Sequence, residues 1–311
     1  MEQIERLAHV RYTSGDELAE ALVGADALFV WDFQSSALER AWHAADRLRW
    51  VHIASAGVDP VLFPAMVDSE IPLTNSRGVF ESSLAEYVLG VVLAFAKDFA
   101  TSLELQQQRI WRHRESERIA GTRALVVGTG PIGRAIAQLL RAVGMRVAGI
   151  GRRAVDDDPD FGSVYPSDEL RTHLPDADYV VAVAPLTPAT EGMFNAASFA
   201  AMKPTARFIN VGRGDLVVTP DLLAALQAKT IAGAALDVFD TEPLPADSPL
   251  WSLPNVLISP HMSADVKGWR NALVELFADN VQLWLQERPL RNVVDKQLGY
   301  VPTGAAARPA G

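Results

Sequence analysis

The chain contains no cysteine. A disulfide scaffold, a thiolate metal site and a cysteine nucleophile are therefore all excluded. It also lacks an apolar run long enough to cross a bilayer, since the longest, Tyr87 to Ala96, is about half of the roughly 20 residues required. The opening MEQIERLAHV carries charges where a signal peptide needs an apolar core, so export is not expected and a cytoplasmic location is. An excess of positive charge is missing too. The net charge of -10 and a pI near 5.1 argue against nucleic acid or an anionic membrane surface as a general partner, although a local basic spot can still hold a phosphate. Neither an HExxH motif nor clustered carboxylates suggest a metal. No internal repeat or long low-complexity tract is present.

What remains is a chain of 311 residues, about half of them apolar, which suits two folded domains because one core rarely grows past roughly 250 residues. Strand-like and helix-like segments alternate from the start. Strands are expected at His9 to Thr13, Ala27 to Trp31, Trp50 to Ala54 and Pro72 to Asn75, with helices at Glu2 to Ala8, Asp16 to Leu22, Leu38 to Ala45 and Val61 to Val67. Short loops between them imply parallel strands with crossover helices. Such a sheet ordinarily begins with a strand, whereas this chain opens on a helix, so Met1 is expected to lie inside a longer reading frame. Leu84, Val88, Val91, Val92, Phe95 and Phe99 then fit one long helix over Ser82 to Ala100, and Arg109 to Ile119 reads as a polar connecting arm.

Beyond the arm comes RALVVGTGPIGRAIAQLL, residues 123–140, a buried strand that breaks at Gly128, Gly130 and Gly133 into a helix. In this GxGxxG spacing the first glycine permits a tight turn, the second lets a pyrophosphate approach the backbone, and the third lets helix and strand pack closely. The helix start offers N–H groups to phosphates. Further strands at Arg146 to Ile150, Tyr179 to Ala184, Ala206 to Val211, Ala232 to Val238 and Val256 to Ser259 complete a six-stranded doubly wound unit. Helices are expected at Asp168 to Leu174, Ala197 to Met202, Pro220 to Gln227 and Gly268 to Gln286, and the tail from Thr303 has the composition of a frayed end.

A Rossmann site for NAD carries an acidic residue about 20 positions beyond the glycines, where it holds the ribose 2′-OH. Here that place is taken by Gly151, followed by Arg152 and Arg153. Without the carboxylate a 2′-phosphate is not repelled, and two guanidiniums can pair with it, so NADP(H) is the expected cofactor, with NAD(H) possible.

Three further islands follow predicted strands: FINVGRGDLV at Phe208 to Val217, ALDVFDTEPLP at Ala235 to Pro245, and ISPHMSAD at Ile258 to Asp265. Carboxyl ends of strands border the ligand crevice of an open parallel sheet, so Arg213, Asp237, Glu242 and His261 are expected to face one cleft. Taken singly, each has an ordinary structural role to play. Taken in order with the glycine fingerprint, they make the chain resemble the NAD(P)-dependent D-2-hydroxyacid dehydrogenases, the family that includes glyoxylate and hydroxypyruvate reductases.

That resemblance runs from the SAGVD turn at Ser55 to Asp59 to the segment at Asn292 to Asp295. It implies an α/β fold, a Rossmann doubly wound parallel sheet plus a smaller flavodoxin-like α/β substrate domain, the latter formed by residues 1–98 and 281–311 around a nucleotide domain of 99–280. The catalytic set it implies is Arg213, Glu242 and His261. Arg213 binds the substrate carboxylate and polarises the carbonyl, His261 is the acid/base, and Glu242 pairs with it. The chemistry agrees, because reducing a 2-keto acid needs a proton at the developing alkoxide, histidine delivers protons near neutrality, and a neighbouring carboxylate favours the imidazolium.

Cofactor contacts implied by the same resemblance are Gly128, Gly130, Pro131, Ile132, Gly133, Arg152, Arg153, Pro185, Val211, Gly212, Asp237 and His261. Substrate contacts are Arg213 and the backbone of Ser55, Ala56 and Gly57. The partners implied are a small 2-keto or 2-hydroxy acid and a second copy of the chain, with Ser82 to Ile119 as the dimer contact. Asn75, Gly78 and Glu86 match only loosely and read as structural, as do His9, His43, His52, His113 and His173. Trp31, Trp50 and Trp284 sit in apolar patterns and are expected in the core, while Trp111, Trp251 and Trp269 are undetermined. The competing readings are a nucleotide-sensing corepressor-like module, disfavoured by the lack of a basic zone, and a phosphoglycerate dehydrogenase-like enzyme, for whose regulatory domain there is no room.

Overall fold

The computed structural model describes residues 2–32 and 35–302. The tail expected from Thr303 lies outside them. Two compact units divide the chain, one built from residues up to Phe80 and from Lys267 onward, the other from Glu81–Val266.

In the first unit, helices α1 (Glu2–Glu5) and α2 (Leu18–Leu22) precede strand β1 (Ala27–Val30). Helix α3 (Ala37–Ala41), strand β2 (Trp50–Ile53), helix α4 (Pro64–Asp68) and strand β3 (Leu73–Thr74) follow. The strands form a parallel sheet in the order β1-β2-β3. His9 to Thr13, expected as a strand, has no regular structure, and its residues are largely exposed. It pairs with no strand among the described residues, and its few apolar residues do not suffice to make one. Trp50 is fully buried as expected, but Trp31 is 42% exposed and stacks on Trp269 with ring centroids 6.4 Å apart.

The second unit opens on helix α5 (Glu81–Ala96) and helix α6 (Phe99–Gln107), where the apolar spacing predicts a single helix. The break lies at Asp98, whose φ of 50° takes the chain out of the helix while its side chain caps α6 by accepting from the Thr101 N–H. Then come β4 (Arg123–Val127), α7 (Pro131–Ala142), β5 (Arg146–Gly151), β6 (Val155–Asp158) and β7 (Gly162–Pro166). The unit continues with α8 (Leu170–His173), β8 (Tyr179–Ala182), α9 (Ala196–Ala201), β9 (Arg207–Asn210), α10 (Thr219–Gln227), β10 (Gly233–Leu236) and β11 (Val256–Ile258). Its sheet has the order β11-β10-β9-β8-β4-β5-β7-β6. Only β6 runs antiparallel, against β7. Reading outward from β4, this is the doubly wound order 3-2-1-4-5-6 with one strand added at each edge.

Eight strands stand where six were expected. The additional pair is VDDD and GSVYP, in a stretch to which the sequence pattern assigns no element; Val155, Asp156 and Asp157 are exposed. A buried anchor makes them a hairpin. The Asp158 side chain is 4% exposed and accepts from both terminal nitrogens, Nη1 and Nη2, of Arg134 on α7 at 3.0 Å, and Arg134 also donates to Asp160 at 2.7 Å. The paired guanidinium, with the Asp160 and Phe161 N–H groups, outweighs the burial that would raise the Asp158 carboxyl and holds it below the ordinary range.

The unit boundaries also differ from 98/99 and 280/281. Helix α5 lies along α7, burying Leu84, Val88, Val91 and Val92, and so belongs with the larger sheet. Helix α11 (Trp269–Leu285) packs on α1 and stacks Phe277 on Trp50, and so belongs with the smaller one.

Candidate functional site

Parallel register brings Ile150, Val127, Ala182, Asn210, Leu236 and Ile258 into one transverse row of the larger sheet. Every candidate loop in this unit leaves from the carboxyl side of that row. The order of the strands thus converts islands scattered along the sequence into adjacent loops.

At β4 the chain turns at Gly128, with φ of 118°, and a Cβ there would lie 2.7 Å from the Ala184 nitrogen and the Val183 carbonyl. A Cβ on Gly133 would fall 1.9 Å from the Gly128 carbonyl oxygen. Both glycines are thus required by the protein's own packing. Gly130 is different, because nothing lies within 4 Å of where its Cβ would be. Its bareness leaves room for a ligand at the start of α7, where Pro131 occupies the first turn and the helix N–H groups point outward. These residues fit a dinucleotide pyrophosphate. Ile132 is half-buried beside them, and Arg152 and Arg153 are exposed just past β5.

Beyond β8 and β9, Pro185 accepts from the Thr190 hydroxyl at 2.7 Å, and Val211 is buried with its N–H on the Ala182 carbonyl. Asn210 holds the next turn from both ends. Its amide donates to the Arg213 carbonyl at 2.9 Å, and its oxygen accepts from the Gly212 N–H at 3.1 Å. Gly214 lets this loop touch the one after β10, since a Cβ there would sit 1.9 Å from the Phe239 carbonyl carbon. Neither Asn210 nor Gly214 is singled out by the sequence reading, although both stand in the island that carries Arg213; a buried polar residue at a strand end was the available signal.

The loops after β10 and β11 meet at His261. Its Nδ1 lies 2.7 Å from Oε2 of Glu242, whose Oε1 accepts from the Phe239 N–H at 2.9 Å. The pair is partly shielded, with side chains 26% and 20% exposed. Burial alone would raise the Glu242 carboxyl, but the hydrogen bonds from His261 and Phe239 and the charges of His261 and Arg213 hold it below the ordinary range. Arg213 and His261 therefore act on one carboxylate. The Glu242–Pro243 peptide is cis.

His261 itself has φ of 50°, a left-handed backbone, and its N–H donates to the Asp237 carbonyl at 2.7 Å. The Asp237 side chain supports the same turn. It accepts from the Ser259 hydroxyl at 2.5 Å, the Met262 N–H at 2.9 Å, the Ser263 N–H at 3.0 Å and the Ser263 hydroxyl at 2.5 Å. Tyr87 on α5 adds a 2.5 Å contact with the Ser259 hydroxyl.

In the smaller unit, Ser55, Ala56 and Gly57 form a turn at the carboxyl end of β2. The Ser55 hydroxyl donates to the Gly57 carbonyl at 2.5 Å, the Asn75 amide to the Ala56 carbonyl at 2.6 Å, and the Ser76 N–H to the Ser55 carbonyl at 2.9 Å. Beneath it His52 is fully buried, with Nδ1 2.7 Å from the Thr74 hydroxyl and Nε2 3.3 Å from that of Ser76. Trp50 donates to the same Thr74 oxygen at 2.8 Å. Burial pushes the His52 imidazole down to about 3, so it is a neutral packing residue.

The chain as a whole is similar to known proteins. The NAD-binding domain of the D-isomer specific 2-hydroxyacid dehydrogenases matches residues 89–263. A glyoxylate/hydroxypyruvate reductase B from Citrobacter koseri is 32% identical, over 95% of this chain and 92% of that protein. Among solved structures, a D-isomer specific 2-hydroxyacid dehydrogenase family protein from Aeromonas salmonicida superposes with a TM-score of 0.83 at 33% identity, covering 95% of both chains. An NADPH-dependent glyoxylate/hydroxypyruvate reductase from Sinorhizobium meliloti, in complex with NADP and sulfate, gives 0.82 at 29% identity, over 96% of this chain and 95% of that one. With the match of the nucleotide-binding domain and these relatives over nearly all its length, the chain belongs to the D-isomer specific 2-hydroxyacid dehydrogenase family of NAD(P)-dependent oxidoreductases.

Proposed function

We propose that this protein reduces a small 2-keto acid of the glyoxylate or hydroxypyruvate type to the D-2-hydroxy acid, with NADPH preferred to NADH. The observation that carries this reading is the 2.7 Å pair of His261 and Glu242, with the charge of Arg213 acting on the same carboxylate. When bound, the nicotinamide supplies the hydride. Arg213 offers a fork that matches the substrate carboxylate and draws electron density from the carbonyl. His261 has Nδ1 committed to Glu242, so Nε2 delivers the proton to the forming alkoxide in reduction and accepts it in oxidation. Glu242 fixes that tautomer and favours the imidazolium. In the smaller unit, the Ser55, Ala56 and Gly57 backbone is assigned to the substrate carboxylate on family resemblance, making residues up to Phe80 and from Lys267 the substrate unit and Glu81–Val266 the nucleotide unit.

NADPH is favoured by Arg152 and Arg153 together with the absence of a carboxylate at Gly151; the Sinorhizobium relative is itself NADPH-dependent. The reading includes a cytoplasmic homodimer. It is supported by the exposed Phe99, Leu103, Ile110 and Trp111 along the segment that leads to β4, and no helix of the described residues is long and apolar enough to cross a membrane.

A steady-state screen of glyoxylate, hydroxypyruvate, pyruvate and bulkier keto acids with both cofactors tests it. Short keto acids with NADPH should turn over fastest, and His261→Asn should lower kcat by about 1,000-fold while NADPH binding persists. NADPH binding without turnover of any keto acid, or a fully active His261→Asn protein, overturns it.

A further inference from the structure

The absence of a side chain at residue 151 has a cause within the protein. Gly151 does not have a positive φ, so its backbone makes no demand for glycine. Space does. A Cβ built there would lie 2.7 Å from the Thr129 Oγ1, 3.3 Å from the Thr129 Cγ2 and 3.2 Å from a Val164 methyl. One strand position back on the same face of β5, a Cβ on Gly149 would meet the Thr129 Cγ2 at 2.9 Å and the Phe161 ring at 3.0 Å. Thr129, the middle residue between Gly128 and Gly130, therefore covers both glycines.

Its branching matters. Two heavy atoms on the threonine Cβ fill two of three staggered positions, so a rotation that vacates the place of one branch leaves the other over β5. The loop bearing Thr129 cannot lift away cheaply, because the Gly128 N–H is bonded to the Ile150 carbonyl at 2.9 Å and the Gly130 carbonyl accepts from the Arg134 N–H at 2.9 Å. The opposite side of β5 is no softer. Val164 and Phe161 belong to the β6–β7 hairpin and the turn within it, which Arg134 ties to α7 through Asp158 and Asp160.

We propose that Thr129 is a specificity-determining residue, which by filling the volume over Gly151 bars an acidic ribose ligand from the end of β5 and keeps the adenosine end suited to a 2′-phosphate. This deepens the NADPH reading above and rests on it for its functional meaning. Arginines 152 and 153 attract the phosphate; Thr129 excludes the alternative. The consequence is that introducing an aspartate at residue 151 is not sufficient to convert the site, because the carboxylate enters only when Thr129 is trimmed.

The test is a double-mutant cycle of wild type, Thr129→Ala, Gly151→Asp and the double variant. Affinities of the cofactor-free proteins for NADPH, NADH, 2′,5′-ADP and ADP are read by fluorescence titration and calorimetry, and melting temperatures alongside. Gly151→Asp alone should weaken NADPH and 2′,5′-ADP by about tenfold or more, gain little for NADH or ADP, and melt lower, as crowding between touching residues requires. Adding Thr129→Ala should raise the melting temperature above that of Gly151→Asp and strengthen NADH and ADP by about tenfold relative to it, a coupling of the size found between neighbours in contact. Thr129→Ala alone should change neither cofactor by more than about threefold, the effect of one small contact.

The proposal is overturned if Gly151→Asp alone binds NADH as tightly as the double variant and melts with wild type. Should the aspartate variants not fold, Gly151→Ala with and without Thr129→Ala reads the same crowding in the melting temperature, and additive shifts there overturn it as well. A wild type that binds NADH as tightly as NADPH would refute the cofactor reading instead, while the coupling between residues 129 and 151 would still decide the steric claim.

Discussion

Two ends of the same sheet edge are built by opposite means. Around the start of α7 the loop takes its shape from missing side chains, with Gly128, Gly133 and Gly151 each leaving a volume that backbone or Thr129 already fills. Around His261 the shape comes from side chains that are present. Asn210, Asp237 and Glu242 hold three loops through charged or amide hydrogen bonds. A loop made by exclusion tolerates no added atom, whereas one made by hydrogen bonds tolerates no subtracted partner.

The comparison is broken most directly by adding one methyl group. Gly133→Ala places a Cβ on the Gly128 carbonyl, so the helix or the turn must move, and we expect a stability loss of about 3 kcal/mol or more with cofactor affinity falling about 100-fold. Chemical denaturation and NADPH titration measure the two. If Gly133→Ala binds and melts like wild type, the exclusion account of this end fails.

Subtraction should matter next most. Asp237→Ala takes the acceptor away from four donors of the turn carrying His261, and we expect a stability loss of about 2–3 kcal/mol together with a fall in kcat that exceeds any change in cofactor affinity. Equal losses in both would mean that Asp237 serves the cofactor directly rather than the turn.

The smallest effect sharpens the contrast with the other unit, where His52 is buried and neutral. The unfolded imidazole titrates near 6.5 and the folded one at about 3, so between these values the unfolded chain binds a proton that the folded chain does not. Stability is therefore full above the higher value and declines as pH falls through the window, by about 2 kcal/mol from pH 7 to pH 5 on this group's account. Denaturation curves at both pH values should show less of that decline in His52→Asn. An identical slope would assign it elsewhere.

How far the sequence discloses these features follows from the same distinction. Gly128 and Gly133 are legible because a glycine demanded by contact at a strand-to-helix turn leaves a fixed spacing. Glu242 and His261 are legible as motif residues, though their 2.7 Å contact depends on β10 and β11 being neighbours. Asp158 is not legible. Among four acidic residues in VDDDPD, nothing local marks the one that Arg134 buries, and the β6–β7 hairpin is lost with it. The break at Asp98 is hidden for a similar reason, since apolar periodicity runs on to Phe99 and the residue that ends it does so by backbone conformation and a cap. His9 to Thr13 errs the other way, having strand-like composition and no partner.

The left-handed backbone of His261 also limits which residues the position can accept. Histidine, asparagine and aspartate enter that conformation far more readily than other side chains, and β-branched residues do so poorly. Asparagine at 261 should consequently keep the turn on Asp237 and remove only the imidazole. Valine or threonine would remove the imidazole and unseat the loop together, so tolerance at this site is set by conformation first.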